Sequence, residues 1–218
     1  GMHFTRFDDT VRSTRLVAPI LQEHEAENNL ALGIVSTIDA NSRPEHTPLL
    51  CVVHRGKDPR ADTIVAIAVR TPPFPVVVAF TADASDPDAA RCLVEELHEL
   101  YGNDITGFNA DTRVVAPYVE AWSAFTATRA VVHMKTRIYS CSDPIPPRSV
   151  PGTPRSFEPR DADNVREFVA GFYQDAIPDE YDPKRVEAYV EGLMSADPAR
   201  RGMLLWEVER EVVSMAAY

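Results

Sequence analysis

The stretch "HEAENN", His24 to Asn29, places an imidazole, two carboxylates and two carboxamides side by side. Glu23, His24 and Glu27 partly share one helical face, which a divalent metal can use. A metal site needs ligands converging from a second cluster, and the sequence offers none, so no metal is assigned. The plainer reading is a solvated helix start. Asn28 and Asn29 stand just ahead of an apolar helix, where they either cap it or line a groove. Glu27, Asn28 and Asn29 are therefore candidate substrate-binding residues. Arg70 opens "RTPPF", a proline-stiffened turn that serves as a strand connector or as a rigid groove wall. Trp206 and Met215 lie on the last hairpin, as core or edge residues.

Other chemistries find little support. No G-x-S-x-G surrounds a serine, and neither G-x-x-x-x-G-K nor G-x-G-x-x-G occurs. His46 and His54 flank a strand, and His98 sits on a helix among acids. Cys51, Cys92 and Cys141 are widely spaced, without the C-x-x-C pattern of structural zinc. Cys51 and Cys92 fall in apolar patterns and read as buried thiols, and this usage suits a reducing cytoplasm.

The 218 residues carry a formal net charge of -11, and 44% of them are hydrophobic. Lysine and arginine are scattered, so the clustered cations that neutralise phosphates are missing and nucleic acid is not an expected partner. No apolar run approaches the ~20 residues that span a bilayer. The start shows no charged segment followed by an apolar one, so no signal peptide is expected. Gly1 ahead of Met2 reads as an expression-tag remnant.

These residues must be positioned by two domains. "DPIPPRSVPGTP", from 143 to 154, holds five prolines. Fixed φ angles and missing donors make it a stiff linker between a domain at 1–142 and a second at 155–218. Before it, apolar spacing predicts helices from Thr10 to Gln22 and over "EAENNLALGIVSTI". Strands follow at Leu49–Val53, Ile64–Val69 and Val76–Phe80. Asp86-Pro87 opens a capped helix, another covers Arg113–Phe125, and "RAVVHMKTRIYS" reads as a closing strand. After the linker come a short strand at "RSFEP", a helix over "DADNVREFVAGFYQDA", a helix capped by Asp182-Pro183, and two strands. The architecture expected is α/β, or α+β, with a mixed sheet.

Both halves thus read helix, helix, strand, strand, and an internal repeat is tested first. Setting "TIVAIAVR" (63–70) beside "EVVSMAAY" (211–218) aligns Val65 with Val213 and Ala68 with Ala216.

Five stretches resemble the GNAT superfamily of N-acetyltransferases, in its tandem two-domain form. They are "EAENNLALGI", "AVRTPPFPVVVA", "ITGFNADTRVVAPYVEAW", "RIYSCSDPIPP" and "LLWEVEREVVSMAA". The resemblance implies acetyl transfer from acetyl-CoA to a small-molecule or peptide amine. It implies a cofactor held at a splayed pair of parallel strands, with the pyrophosphate on a [QR]-x-x-G-x-[GA] loop that opens a helix. It places Arg70 near that split and Trp206 and Met215 at the acceptor site. The sequence departs from the pattern twice. "ADASDPDAARC" stands where the first cradle belongs, with Asp83, Asp86 and Asp88 in place of glycine. The second half stops at Tyr218, where the next strand and cradle belong. The expectation is a degenerate GNAT-like N-terminal domain and an incomplete GNAT-like C-terminal one, with the cofactor loop absent. The chain is then either a piece of a longer enzyme or an inactive binding or scaffold protein. Its last strand is expected to leave an open edge, completed by another copy in a homo-oligomer or packed on the first domain.

Overall fold

The computed structural model describes residues 1–38 and 48–218, and His46 lies outside the described residues. The chain divides into two compact units, Gly1–Ser142 and Asp143–Tyr218. Both are mixed α/β. Among the described residues, no helix is long and apolar enough to cross a membrane.

The first unit runs β1 (Met2–Arg6), α1 (Thr10–Gln22), α2 (Asn29–Thr37), β2 (Leu49–Arg55), β3 (Ile64–Arg70), β4 (Val76–Val78), α3 (Pro87–Tyr101), β5 (Phe108–Asn109) and α4 (Val115–Thr126). The strands form one sheet in the order β1-β2-β3-β4-β5. All neighbours are antiparallel except β4 and β5, which are parallel. Alternation along β2 and β3 feeds two cores, since successive side chains leave a strand on opposite faces. Leu50, Val52, Ile67 and Val69 pack with Val17 and Leu21 of α1 and Ala31 and Val35 of α2. Cys51, Val53 and Ala68 pack with Leu93 and Leu97 of α3 and Tyr118 of α4. The sheet is therefore covered on both faces. Burial pushes the Cys51 thiol up to about 12, so it stays protonated inside this core.

The second unit runs β6 (Thr153–Ser156), α5 (Ala162–Ala176), α6 (Pro183–Ser195), β7 (Met203–Val208) and β8 (Glu211–Ala217), with the sheet order β6-β7-β8. Val165 and Val169 of α5 and Val186, Val190 and Leu193 of α6 pack on Met203 and Leu205 of β7. β6 begins inside the expected linker. Pro154 is tolerated there because β6 is an edge strand, so its missing N–H breaks no ladder.

Two expectations need correction. β1 escaped the pattern reading altogether. "RAVVHMKTRIYS" is not a strand: residues 127–142 have no regular secondary structure and every residue from 127 to 150 is exposed. The sheet edge that precedes it in sequence, β5, is only two residues long and offers a partner almost no ladder.

The repeat extends beyond composition. β1-α1-α2-β2-β3 and β6-α5-α6-β7-β8 share one element order. Phe7 N–H continues the β1 ladder to Leu50 O at 3.0 Å, and Phe157 N–H continues the β6 ladder to Met203 O at 2.9 Å. The β2/β3 register shifts between Val53 and His54, where Val65 is passed over. The β7/β8 register shifts between Trp206 and Glu207, where Val213 is passed over. These are the two valines that the sequence repeat aligns. A bulge bends and twists a strand, so sharing its position ties the two sheets together more firmly than shared apolar character does.

Candidate functional site: the fork between two parallel strands

β4 and β5 stay together for two pairs, Val76 with Phe108 and Val77 with Asn109. Past them, β4 keeps to β3 through Ala79 N–H donating to Ile67 O at 2.9 Å. The chain after β5 turns instead through Asp111–Val114 into α4, with Val114 N–H donating to Asp111 O at 2.8 Å. The two strands therefore part at their C-terminal ends. In an open sheet with flanking helices, such a parting at strand C-termini is where ligands enter.

Three elements meet at the mouth of this fork. Asn28, between α1 and α2, is 1% exposed. Its Nδ2 donates to Leu21 O at 3.1 Å and to Phe80 O at 2.9 Å, and its Oδ1 accepts from Phe80 N–H at 2.7 Å. The carboxamide thus satisfies both backbone groups of Phe80 just beyond β4. Arg113, beyond β5, lies over the Phe80 ring at 4.1 Å. It pairs with Asp111 at 2.8 Å and with Glu27 at 3.5 Å. His24 meets the edge of the same ring, with centroids 4.8 Å apart. The Arg113 hydrogen bond holds the Asp111 carboxyl down at about 2 and drives the guanidinium still higher. Two carboxylates face one guanidinium here, so the mouth favours a cation over an anion.

The six candidate residues are dispersed. Glu27 and Asn28 reach the fork. Asn29 begins α2 and is exposed. Arg70 ends β3, beside the start of β4 and away from the parting. It is 3% exposed, donates to Asp104 O at 3.0 Å and lies over the Tyr101 ring at 4.5 Å. Those contacts fasten the far end of α3. Trp206 pairs across the ladder with Ser214, whereas Met215 pairs with Leu205, so the two leave the sheet on opposite faces. Trp206 Nε1 donates to Pro151 O at 2.9 Å. Met215, with Phe168, Phe172, Glu167 and Asp175, lines an open cleft of about 470 Å³ between α5 and β8. Phe80, Asp111 and Arg113 were not singled out in the sequence. Arg113 and Glu27 are 86 positions apart, and no local pattern joins them.

The first N–H groups of α3 are already taken. Asp86 Oδ1 accepts from Asp88 N–H at 2.8 Å and Ala89 N–H at 3.4 Å, using donors that a phosphate needs. Arg55 is already shared between Asp83 at 3.4 Å and Asp86 at 3.2 Å. The intervening turn is fastened down by Tyr118 Oη donating to Ala84 O at 2.6 Å. Among the described residues, no group of three or more His, Cys, Asp or Glu side chains converges as a metal site. No protein-family model matches the chain, and no curated protein matches it.

Proposed function

We propose that this chain is a GNAT-type N-acetyltransferase polypeptide, acting with acetyl-CoA on a small-molecule or peptide amine, and that its first unit is a scaffold that does not hold the cofactor's diphosphate. The observation that carries this reading is the single parallel pair, β4 and β5, set in an otherwise antiparallel sheet and parting at its C-terminal ends. A splayed parallel pair exposes backbone donors and acceptors between two strands, where an extended acyl-pantetheine arm can be bound. The element order repeated in the second unit and the resemblance in five stretches of sequence support the same assignment. The carboxylate surplus at the fork suits a protonated amine.

The residues at the start of α3, whose first N–H groups are capped by Asp86, do not fit a diphosphate. That observation favours a second reading, a binding or scaffold protein on the same fold without transferase activity. Calorimetric titration of acetyl-CoA into the folded full chain separates the two. Saturable binding near one ligand per chain supports the transferase. No heat at millimolar acetyl-CoA sinks it for this polypeptide and leaves the scaffold.

A further inference from the structure

Main-chain hydrogen-bonding groups alternate between the two sides of a strand, so each residue of β4 addresses one neighbour. Val76 N–H donates to Gly107 O at 3.0 Å, toward β5. Ala79 N–H donates to Ile67 O at 2.9 Å, toward β3. Thr81 Oγ1 donates to Val65 O at 2.8 Å, so the chain still follows β3 there. Phe80, between Ala79 and Thr81, therefore turns its N–H and C=O to the side that β5 has left. These two groups face into the fork, where no strand meets them.

Asn28 takes both. Its Oδ1 accepts from Phe80 N–H at 2.7 Å, and its Nδ2 donates to Phe80 O at 2.9 Å and to Leu21 O at 3.1 Å. A strand added beside Phe80 would meet the same two groups with the C=O of one amide and the N–H of the next. Main-chain groups out of water need such partners, and here a side chain 52 positions away supplies them. Glu27, the preceding residue, fastens the other arm of the fork by pairing with Arg113, beyond β5, at 3.5 Å. Residues 23–28 between α1 and α2 thus strap the fork, with Asn28 on the β4 side and Glu27 on the β5 side. The two fastenings are unequal. The ion pair is open to solvent, and such pairs add little. Asn28 is 1% exposed and makes three hydrogen bonds to main chain. Its carboxamide is the latch.

We propose that the fork of the first unit is a binding site for an extended, amide-bearing chain, and that Asn28 occupies it in the ligand's place. The ligand class follows from the groups to be met: successive amides on an extended arm answer Phe80 as the carboxamide now does. Pantetheine carries two amides on such an arm, and for that identity the inference rests on the acetyl-transfer reading. The arm and Asn28 compete for the same N–H and C=O, so the closed strap excludes it. That gives the scaffold role of the first unit a second cause, beside the capped start of α3.

The test compares the full chain with Asn28→Ala, using reduced pantetheine as the probe. Backbone amide NMR signals locate binding, and urea midpoints are measured in parallel. The unsubstituted chain should not respond to millimolar pantetheine, and its Phe80 amide should exchange slowly with deuterium. Asn28→Ala should bind saturably, with the Phe80 amide among the signals that move. Its urea midpoint should rise with pantetheine while that of the unsubstituted chain stays fixed. A folded Asn28→Ala chain whose Phe80 signal ignores pantetheine overturns the inference. Pantetheine binding at Phe80 in the unsubstituted chain overturns it equally, because the site is then open with Asn28 in place. If Asn28→Ala does not fold, deuterium exchange in the unsubstituted chain decides. Protection of Phe80 matching that of Ala79 supports the latch, and exchange as fast as at exposed Lys57 overturns it. Failure here and failure of the transferase are distinguishable. No heat with acetyl-CoA sinks the transferase for this polypeptide, whereas the occupancy of the fork is read at Phe80.

Discussion

At the scale of single residues, Asn28 joins the helices to the fork. Ahead of an apolar helix, the residue reads as a cap or a groove liner. The structure decides between these: its side chain makes no capping hydrogen bond and turns to Phe80 and Leu21 instead. Truncating it leaves Phe80 N–H, Phe80 O and Leu21 O without this partner at a largely buried site. An unsatisfied buried polar group costs about 1–3 kcal/mol, so Asn28→Ala should lose about 3 kcal/mol of stability. Asn28→Asp should be no better, because it keeps the acceptor for Phe80 N–H and turns an acceptor toward two carbonyls. Urea unfolding measures both, and a loss below about 0.5 kcal/mol for Asn28→Ala would contradict the bridging role. Asn28 stands out in sequence only by its place ahead of an apolar helix, which its side chain does not cap. Its partner Phe80 lies 52 positions away, and nothing near either residue announces the pair.

Between elements, the start of α5 is locked to β6 and β7 through one arginine. Arg155 donates to Asp161 at 2.7 and 2.8 Å and to Glu207 at 2.7 Å. Asp161 is buried and also accepts from Glu158 N–H at 2.9 Å. The Arg155 hydrogen bonds, with help from that backbone N–H, hold the Asp161 carboxyl below its ordinary value. A depressed folded-state pKa adds stability that is present above the unfolded value, ~3.9, and is lost as pH falls through the folded one. Asp161→Asn should therefore cost about 2 kcal/mol at neutral pH, as loss of a hydrogen bond to a charged group does. The gap to the unsubstituted chain should close as pH drops below about 4. Urea midpoints for both proteins across pH check this, and a pH-independent gap would remove the ionised carboxylate from the explanation. Element identities were otherwise largely legible. Asp86-Pro87 and Asp182-Pro183 announce their helices, and both aspartates do accept from the first-turn N–H groups. β1 was missed because "MHFTR" is short and lacks a β-branched run. Residues 129–140 were misread because β propensity states what a segment suits, not whether an edge is available to it.

For the whole molecule, the unstructured stretch between the two folded units is the consequential feature. Arg129, Lys135, Arg137 and Arg148 are all exposed within it, away from any helix or strand. Backbone of this kind fits a protease cleft, so trypsin should cut after these four residues in the dilute chain. Arg155 stands in β6, paired to β7 and bonded through its side chain to Asp161 and Glu207, so cutting after it requires the ladder to open first. Cutting after Arg129, Lys135, Arg137 and Arg148 should therefore come well before cutting after Arg155. Peptide mass mapping over a time course reads all of these positions at once. Early cuts confined to residues 127–150 support two units that stay folded while the stretch between them is cleaved. Equal rates after Arg137 and Arg155 would mean that β6 opens as readily as the exposed stretch ahead of it.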